Sequence, residues 1–160
     1  MRFLLYDKVC ELQKGKLIRG VKTLALSEEF FRGHFSRAPL MPAVILLESM
    51  AQLLGWGIIH AHDFELSAIV SVVTGFSVSQ AHLRPGMTAE ITAEILSTSA
   101  SDSLGRAFID AGGARIASAK RIIYTHFRPV DRAALERAFA YYGGYQAAAM
   151  GREPKTEERT

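Results

Sequence analysis

The chain has 160 residues, of which 49% are hydrophobic and 22% charged, with a formal net charge of +3 at pH 7. This is the length of one domain, enough to bury about two-thirds of the surface that the unfolded chain exposes. Its single cysteine, Cys10, excludes a disulfide within the chain, and the basic residues form no dense run of the kind that binds nucleic acid. We therefore expect a reducing compartment, by default the cytoplasm, and no nucleic-acid partner.

The first third of the chain predicts a hairpin followed by a short helix. Apolar-rich runs over 3–12 and 17–26 flank Gln13-Lys14-Gly15-Lys16, which is typical of a tight turn. Ser27-Glu28-Glu29 indicates a helix start, and Gly33 indicates its end. We also expect Gly33 to let the backbone bend where a β-carbon would obstruct His34.

The run over 42–61 contains no lysine or arginine and predicts a long buried helix that ends at about His60. Pro42 suits its first position, because an N–H there has no helical partner. The run is nearly long enough to span a bilayer, but Glu48 and Gln52, one turn apart, would be costly in lipid. A helix inside a soluble core is therefore predicted, without a membrane.

Four more strands are predicted in the second half of the chain, over 66–76, 87–96, 105–111 and 115–125. Turns at Arg84-Pro85-Gly86 and Gly112-Gly113 separate them, and paired glycines favour a tight hairpin because both tolerate positive φ. Two strands, a long apolar helix and four strands indicate an α+β fold, with an antiparallel sheet packed on one helix.

A second helix is predicted after these strands. Asp131 is a suitable N-cap, and Gly143-Gly144 ends the apolar stripe formed by Ala134, Leu135, Ala138, Phe139 and Tyr142. The charged segment 151–160 is expected to be disordered. The chain thus divides into a main domain over 1–128, a helical extension over 129–150 and a tail over 151–160.

One histidine and one carboxylate predict a catalytic site. His34 follows a glycine in a loop, and an imidazole so placed can take a proton from a weakly acidic carbon. Glu48 lies in an apolar helix, and apolar surroundings favour the protonated carboxyl that a general acid needs. Gln52 lies one turn later and can orient that carboxyl, while the unpaired N–H groups of Ala43 and Val44 can polarise a carbonyl.

Each of these residues also has an ordinary structural explanation. A lone loop histidine is usually a surface residue, and a lone glutamate on an apolar helix is often satisfied by a neighbour. Their combination with Gly33 and two prolines favours a functional site. The nearby His60-Ala61-His62-Asp63 lacks a further cluster at a suitable spacing, so no metal is predicted.

The segment 30–52 resembles the active-site motif of the 3-hydroxyacyl-[acyl-carrier-protein] dehydratases of the FabZ/FabA type. That motif reads F-F-x-G-H-F-P-x-x-P-x-M-P-G-V and then E-A-x-A-Q. The matching residues are Phe30, Phe31, Gly33, His34, Phe35, Pro39, Met41, Pro42, Val44, Glu48, Ala51 and Gln52. Ser36 and Ala43 stand where the family has proline and glycine, and the likeness extends over about residues 2–125.

The resemblance implies a hot-dog fold and the dehydration of a (3R)-3-hydroxyacyl thioester to the trans-2-enoyl thioester in fatty-acid or related biosynthesis. The carrier would be acyl carrier protein or coenzyme A, and no cofactor is implied. By resemblance, His34 removes the C2 proton, Glu48 protonates the departing C3 hydroxyl, and N–H groups near Gly33 and Ala43 hold the carbonyl. In the family, one site combines histidine and carboxylate from two subunits of a homodimer, which can form a trimer of dimers.

Further candidates for acyl-chain contact are Phe35, Pro42, Met50 and Trp56, although core packing explains the large ones equally well. Two other functions stay open. One is a hot-dog acyl thioesterase, and the other is a non-catalytic hot-dog subunit that binds acyl chains.

Overall fold

The computed structural model describes residues 4–80 and 82–143. The elements in chain order are β1 (Lys8–Gln13), β2 (Leu17–Thr23), α1 (Glu29–Gly33), α2 (Ala43–Ala61), β3 (Ser67–Val78), β4 (Thr88–Thr98), β5 (Asp102–Ala111), β6 (Ala114–Phe127) and α3 (Arg132–Gly143). The predicted order of two strands, a long helix, four strands and a final helix is confirmed.

The six strands form one antiparallel sheet in the order β1-β2-β4-β5-β6-β3. β1 and β3 are therefore its two edges. The helix α2 packs against the strands of this sheet, and its buried residues belong to the same core as theirs. This is the hot-dog fold, and the α+β prediction is confirmed.

Close approach of α2 to the sheet depends on a glycine in β5. A β-carbon at Gly105 would lie 2.6 Å from Cδ2 of Leu54 and 2.7 Å from the carbonyl oxygen of Glu94. Real β-carbons do not come so close, so a larger residue would push the helix off the sheet. By length and composition alone α2 could cross a membrane, but its buried face packs on strands in this fold.

The turns formed as predicted, while the predicted start of β1 and the predicted helical position of Pro42 were wrong. β1 begins at Lys8, and residues 4–7 ahead of it belong to no strand; here the Asp7 carboxylate accepts the Thr23 N–H at 2.6 Å. Pro42 is the N-cap of α2, with ψ 146°, rather than its first helical residue. Gly33 is exposed at the end of α1, and a β-carbon there would have no atom within 4 Å apart from those of its two chain neighbours, so the effect of Gly33 on His34 stays a prediction.

The helix α3 begins as predicted and packs against α2. The Asp131 carboxylate accepts the Ala134 N–H at 2.9 Å, which confirms the cap. The Phe139 ring is buried, with its centroid 5.5 Å from that of Trp56 and 5.8 Å from that of His60. The rest of the predicted extension, 144–150, and the tail 151–160 lie outside the described residues.

Candidate active site

The Glu48 side chain is held by a neighbour on the same helix. Nε2 of Gln52 donates to Oε1 of Glu48 at 3.0 Å. Oε1 of Gln52 in turn accepts the backbone N–H of Leu5 at 3.0 Å. The expected pairing one helical turn apart is thus present, and the N-terminal segment fixes it.

Glu48 lies in a groove between α2 and the edge strand β3, with a volume of about 350 Å³. The helix contributes a single stripe along its length, and the strand contributes three consecutive residues. The lining residues are Glu48, Ala51, Gln52, Gly55, Trp56, Ile59, Ala68, Ile69, Val70 and Tyr124. The carboxyl is at one end of the helical stripe, and the rest of the lining is mostly apolar, as is typical of small-molecule sites.

Tyr124 of β6 also lines the groove and was not found from the sequence. Its hydroxyl donates to the Ala51 carbonyl at 2.7 Å and is buried. Burial raises the pKa of Tyr124, and the nearby charge of Glu48 raises it further. It is therefore a neutral donor that fixes α2 beside Glu48. In the sequence, Tyr124 is recognisable only as a member of an apolar strand. That position does not distinguish a site residue from a core residue.

His34 begins a loop that several backbone hydrogen bonds close. Leu40 N–H donates to the His34 carbonyl at 2.9 Å, and Met41 N–H donates to the Leu83 carbonyl at 2.9 Å. The imidazole is partly buried and stacks on the Phe35 ring, with centroids 4.2 Å apart. Its Nδ1 is buried and has no hydrogen-bond partner within residues 4–80 and 82–143. A buried nitrogen without a hydrogen-bond partner lowers the stability of the fold unless a group outside this single chain forms a hydrogen bond with it.

The first turn of α2 contains N–H groups that precede the first hydrogen bonds within the helix. Ile45 and Leu46 both donate to the Pro42 carbonyl, at 3.0 and 3.1 Å. The N–H groups of Ala43 and Val44 precede these bonds, and both residues are exposed. N–H groups at a helix start are suited to polarising a carbonyl, and this role of Ala43 and Val44 stays a prediction.

The predicted site residues fall into three places. Glu48, Gln52 and Trp56 line the groove. Gly33, His34, Phe35, Pro42, Ala43 and Val44 are near the start of α2 and are not among the groove-lining residues. Met50 is completely buried in the core, so it has no surface for a ligand. Because Glu48 is about 9 Å along the helix from Pro42, Glu48 and His34 are not brought into one cavity of the single chain.

The histidines at the end of α2 have structural surroundings. His60 packs on Phe64 and Phe139, and Nε2 of His62 hydrogen-bonds with Oγ1 of Thr98 at 2.6 Å. Within the described ranges, no three His, Cys, Asp or Glu residues are grouped so as to hold a metal ion.

Comparison with curated proteins finds relatives that share the motif region. The chain is 57% identical over 53 residues to the 3-hydroxyacyl-[acyl-carrier-protein] dehydratase FabZ of Thiobacillus denitrificans, covering 33% of this chain and 37% of that protein. It is 43% identical over 72 residues to the corresponding protein of a Hydrogenobaculum species, covering 45% and 49%. The chain thus spans less than half the length of these relatives.

Solved structures share the fold at low sequence identity. The dehydratase heterocomplex ApeI:P from Xenorhabdus doucetiae superposes with a TM-score of 0.63 at 13% identity, covering 84% of this chain and 89% of that one. A family model described as a FabA-like domain matches residues 1–91, which is more than half of the chain and includes both His34 and Glu48. This chain therefore belongs to the FabA-like family.

Proposed function

We propose that this protein is a hydro-lyase that dehydrates a (3R)-3-hydroxyacyl thioester to the trans-2-enoyl thioester. The observation that carries the proposal is the Glu48 carboxyl, oriented by Gln52 at one end of an apolar groove, within a motif shared with FabZ dehydratases. The substrate is carried by acyl carrier protein or coenzyme A, and the reaction belongs to fatty-acid or related acyl-chain synthesis in the cytoplasm.

The reaction needs an acid, a base and a carbonyl-binding group. His34 takes the C2 proton, and the C2–H electron pair forms the new double bond to C3. The C3–O bond breaks, and Glu48 supplies the proton with which the hydroxyl leaves as water. The exposed N–H groups of Ala43 and Val44 stabilise the negative charge that develops on the thioester oxygen.

The proposed active form is a homodimer in which each site is shared between two chains, alone or as a trimer of dimers. The edge strand β3 supports this assembly. It exposes apolar side chains, 56% of Ile69 and 47% of Val72, along an edge that pairs with no further strand among residues 4–80 and 82–143. Natural proteins cover such edges, and pairing with a second β3 does so.

Sharing also accounts for the separation of the acid and the base. The groove with Glu48 runs beside β3, so a second copy paired there lies next to the groove. In the proposed dimer, the second copy brings its own His34 loop to Glu48. His34 Nδ1, which has no partner within the described part of its own chain, is then placed against atoms of the other chain or of substrate.

The function is tested by incubating the protein with a 3-hydroxyacyl thioester and following the ultraviolet absorbance of the enoyl product. Wild type is expected to produce it, while His34→Ala and Glu48→Gln lower the rate by about 10²-fold or more, the usual contribution of a positioned acid or base. The controls His82→Ala and Glu90→Gln change exposed residues of the same types. Full activity in both site variants would contradict the assigned roles.

A thiol-trapping reagent in the same assay distinguishes the two other functions. Release of free thiol without enoyl product would identify a thioesterase. Binding of the thioester with neither product would identify a non-catalytic acyl-binding subunit.

The shared site is tested by mixing the two inactive variants. A hybrid dimer of His34→Ala and Glu48→Gln contains one site with both substitutions and one site with neither. Mixed subunits should therefore regain about a quarter of wild-type activity if dimers exchange at random, since half of the dimers are hybrids with one intact site. If each chain held a complete site of its own, mixing would restore nothing.

A further inference from the structure

The helix α2 lines the groove beside Glu48 with residues of unequal size. On the helix, Ala51 and Gln52 follow the carboxyl after one turn, Gly55 and Trp56 after two turns, and Ile59 after three. A β-carbon added at Gly55 would already reach ordinary contact with the Tyr124 ring, at 3.5 Å. The lining therefore has a small side chain, Ala51, one turn after the acid and a large aromatic ring, Trp56, two turns after it.

The Trp56 ring packs against α3. The Phe139 centroid lies 5.5 Å from that of Trp56 and 5.7 Å from that of Phe64, and Phe139 is only 3% exposed. The helix that carries Phe139 is itself fixed at its start, where Asp131 caps it and Arg132 lies 3.6 Å from the Glu65 carboxylate. Trp56 is therefore packed between the groove and a fixed helix.

From these contacts we propose that Trp56, backed by Phe139, closes the far end of the groove and limits the acyl chain to medium length. The inference rests on the proposed function, since it assigns the acyl group of that substrate to this groove. Trp56 contacts the end of the acyl chain and determines which chain lengths the site accepts. Phe139 is a positioning residue that acts through Trp56.

The geometry of α2 gives an estimate of the longest acyl chain that fits between Glu48 and Trp56. Trp56 is eight residues after Glu48, which corresponds to about 12 Å along the axis. A saturated chain advances about 1.25 Å per bond, given bonds of about 1.5 Å and angles of about 111°. About nine or ten bonds therefore fit between the acid, which acts at C3, and the indole. The favoured acyl groups thus have about twelve carbons or fewer.

The test uses the fact that Trp56 is the only tryptophan of the chain. Saturated acyl-coenzyme A thioesters of graded length are titrated into the intact protein, with binding measured by calorimetry and tryptophan emission recorded in parallel. Short chains should bind without changing the emission, and the emission should change once the chain is long enough to reach the indole. Binding at all lengths with no change in emission, or with the same change at every length, would overturn the proposal.

Turnover provides the second measurement. Trp56→Leu keeps an apolar side chain and opens the end of the groove, and Phe139→Ala removes the support behind it. Both should raise the ratio of kcat/KM for long over medium chains by about 10-fold or more, the usual effect of accommodating one further methylene. Tyr141→Ala is the matched control, because that ring is on the same helix and is 74% exposed.

The outcomes separate this inference from the proposed function. A folded Trp56→Leu with an unchanged length profile would overturn the inference and leave the dehydratase in place, even if Phe139→Ala fails to fold. Absence of turnover with every thioester would overturn the proposed function, and the emission titration would still decide whether the acyl chain ends at Trp56.

Discussion

Gln52 holds the Glu48 carboxyl in one defined orientation, because its own amide is fixed from the other side. A backbone N–H can only donate, so the Gln52 atom 3.0 Å from the Leu5 nitrogen is the oxygen. Nε2 must then face Glu48, where it donates to Oε1 at 3.0 Å. In the proposed mechanism, Oε2 of Glu48 is then the oxygen that carries the exchangeable proton and faces the substrate.

Replacing Gln52 should therefore slow the chemical step more than it weakens binding. Gln52→Leu removes the donor and frees the carboxyl to rotate, and kcat should fall by about 10²-fold, the effect of a misplacement of about 1 Å, with KM little changed. The matched control is Gln13→Leu, since Gln13 also donates to a glutamate, Glu11, at 2.7 Å, but on the exposed surface. An equal loss in both variants would argue against orientation by Gln52.

A second substitution at this position separates orientation from general damage to the fold. Gln52→Glu keeps an acceptor for the Leu5 N–H but places a second carboxylate beside Glu48. Two carboxylates at one site cannot both ionise freely, so the proton of the pair is lost at a higher pH. The alkaline limb of the kcat profile should move to higher pH, a shift that a merely structural role for Gln52 would not produce.

The exposed edge of β3 predicts how the assembly can be broken. Val72→Lys places a charge on the exposed edge of β3, and pairing of two β3 strands would bury this charge. Because the dimer is twofold symmetric, each interface would bury two such charges. The dimer dissociation constant, measured by sedimentation, should rise by about 10-fold or more, and activity should fall with the dimer fraction. Cys10→Lys alters the opposite edge, β1, and should leave both unchanged. Dissociation by Cys10→Lys alone would place the interface at the other edge.

Local sequence signals were sufficient for most of the fold. Gly112 and Gly113 have φ of 57° and 79°, the conformation that made a tight hairpin predictable, and Asp131 caps α3 as its side chain suggested. The start of β1 was predicted too early because apolar residues such as Leu4 and Leu5 precede it, and nothing local in the sequence indicates that the Asp7 carboxylate contacts Thr23.

The site was predictable only where its contacts are local. Glu48 and Gln52 are one helical turn apart, so their hydrogen bond follows from the spacing. The Leu5 N–H that orients Gln52 and the Tyr124 hydroxyl that fixes α2 come from residues 47 and 73 positions away, and sheet topology alone brings them there. The packing of Phe139 on Trp56 likewise depends on how α3 crosses α2, which helical periodicity does not determine.

A buried lysine near α1 predicts a measurable contribution to stability. Lys22 is 7% exposed and donates to Asp7 at 2.9 Å and to Glu28 at 2.5 Å. Burial alone would lower the pKa of Lys22, but the hydrogen bonds and charges of Glu28 and Asp7 outweigh it and raise the pKa. The stabilisation is therefore complete below the unfolded pKa of about 10.5 and is lost only as pH rises through the higher folded value.

Lys22→Met should accordingly lower the free energy of unfolding by about 1.5–3 kcal/mol at pH 7, the range for hydrogen bonds to charged groups. Urea denaturation at pH 7 and pH 9 should give the same loss, because both values lie below the unfolded pKa. Lys8→Met, at an exposed position of β1, is the control. A loss no larger than that of the control would mean that the ion pairs offset only the cost of burying the charge.

A chain of hydrogen bonds joins the end of α2 to three strands. Nε2 of His62 pairs with Oγ1 of Thr98 at 2.6 Å, Thr98 pairs with Oγ of Ser103 at 2.6 Å, and Ser103 pairs with Nε2 of His126 at 2.9 Å. Burial lowers the pKa of both histidines, and for His62 the nearby His126 and Arg128 lower it further. His60, buried against α3, also has its pKa lowered by burial, with Lys14 adding to the effect.

These lowered pKa values predict that the protein loses stability in mild acid. Below the unfolded histidine pKa of about 6.5, the unfolded chain binds more protons than the folded chain, so the free energy of unfolding should fall as pH decreases from 7 towards the lower folded values. Urea midpoints measured over this interval should decrease with pH, and His126→Gln, which can still hydrogen-bond to Ser103, should make the decrease shallower. His82→Gln, at an exposed position, should leave the slope as in wild type. Midpoints that stay constant from pH 7 to pH 5 would show that His60, His62 and His126 are protonated as easily in the folded protein as in the unfolded chain.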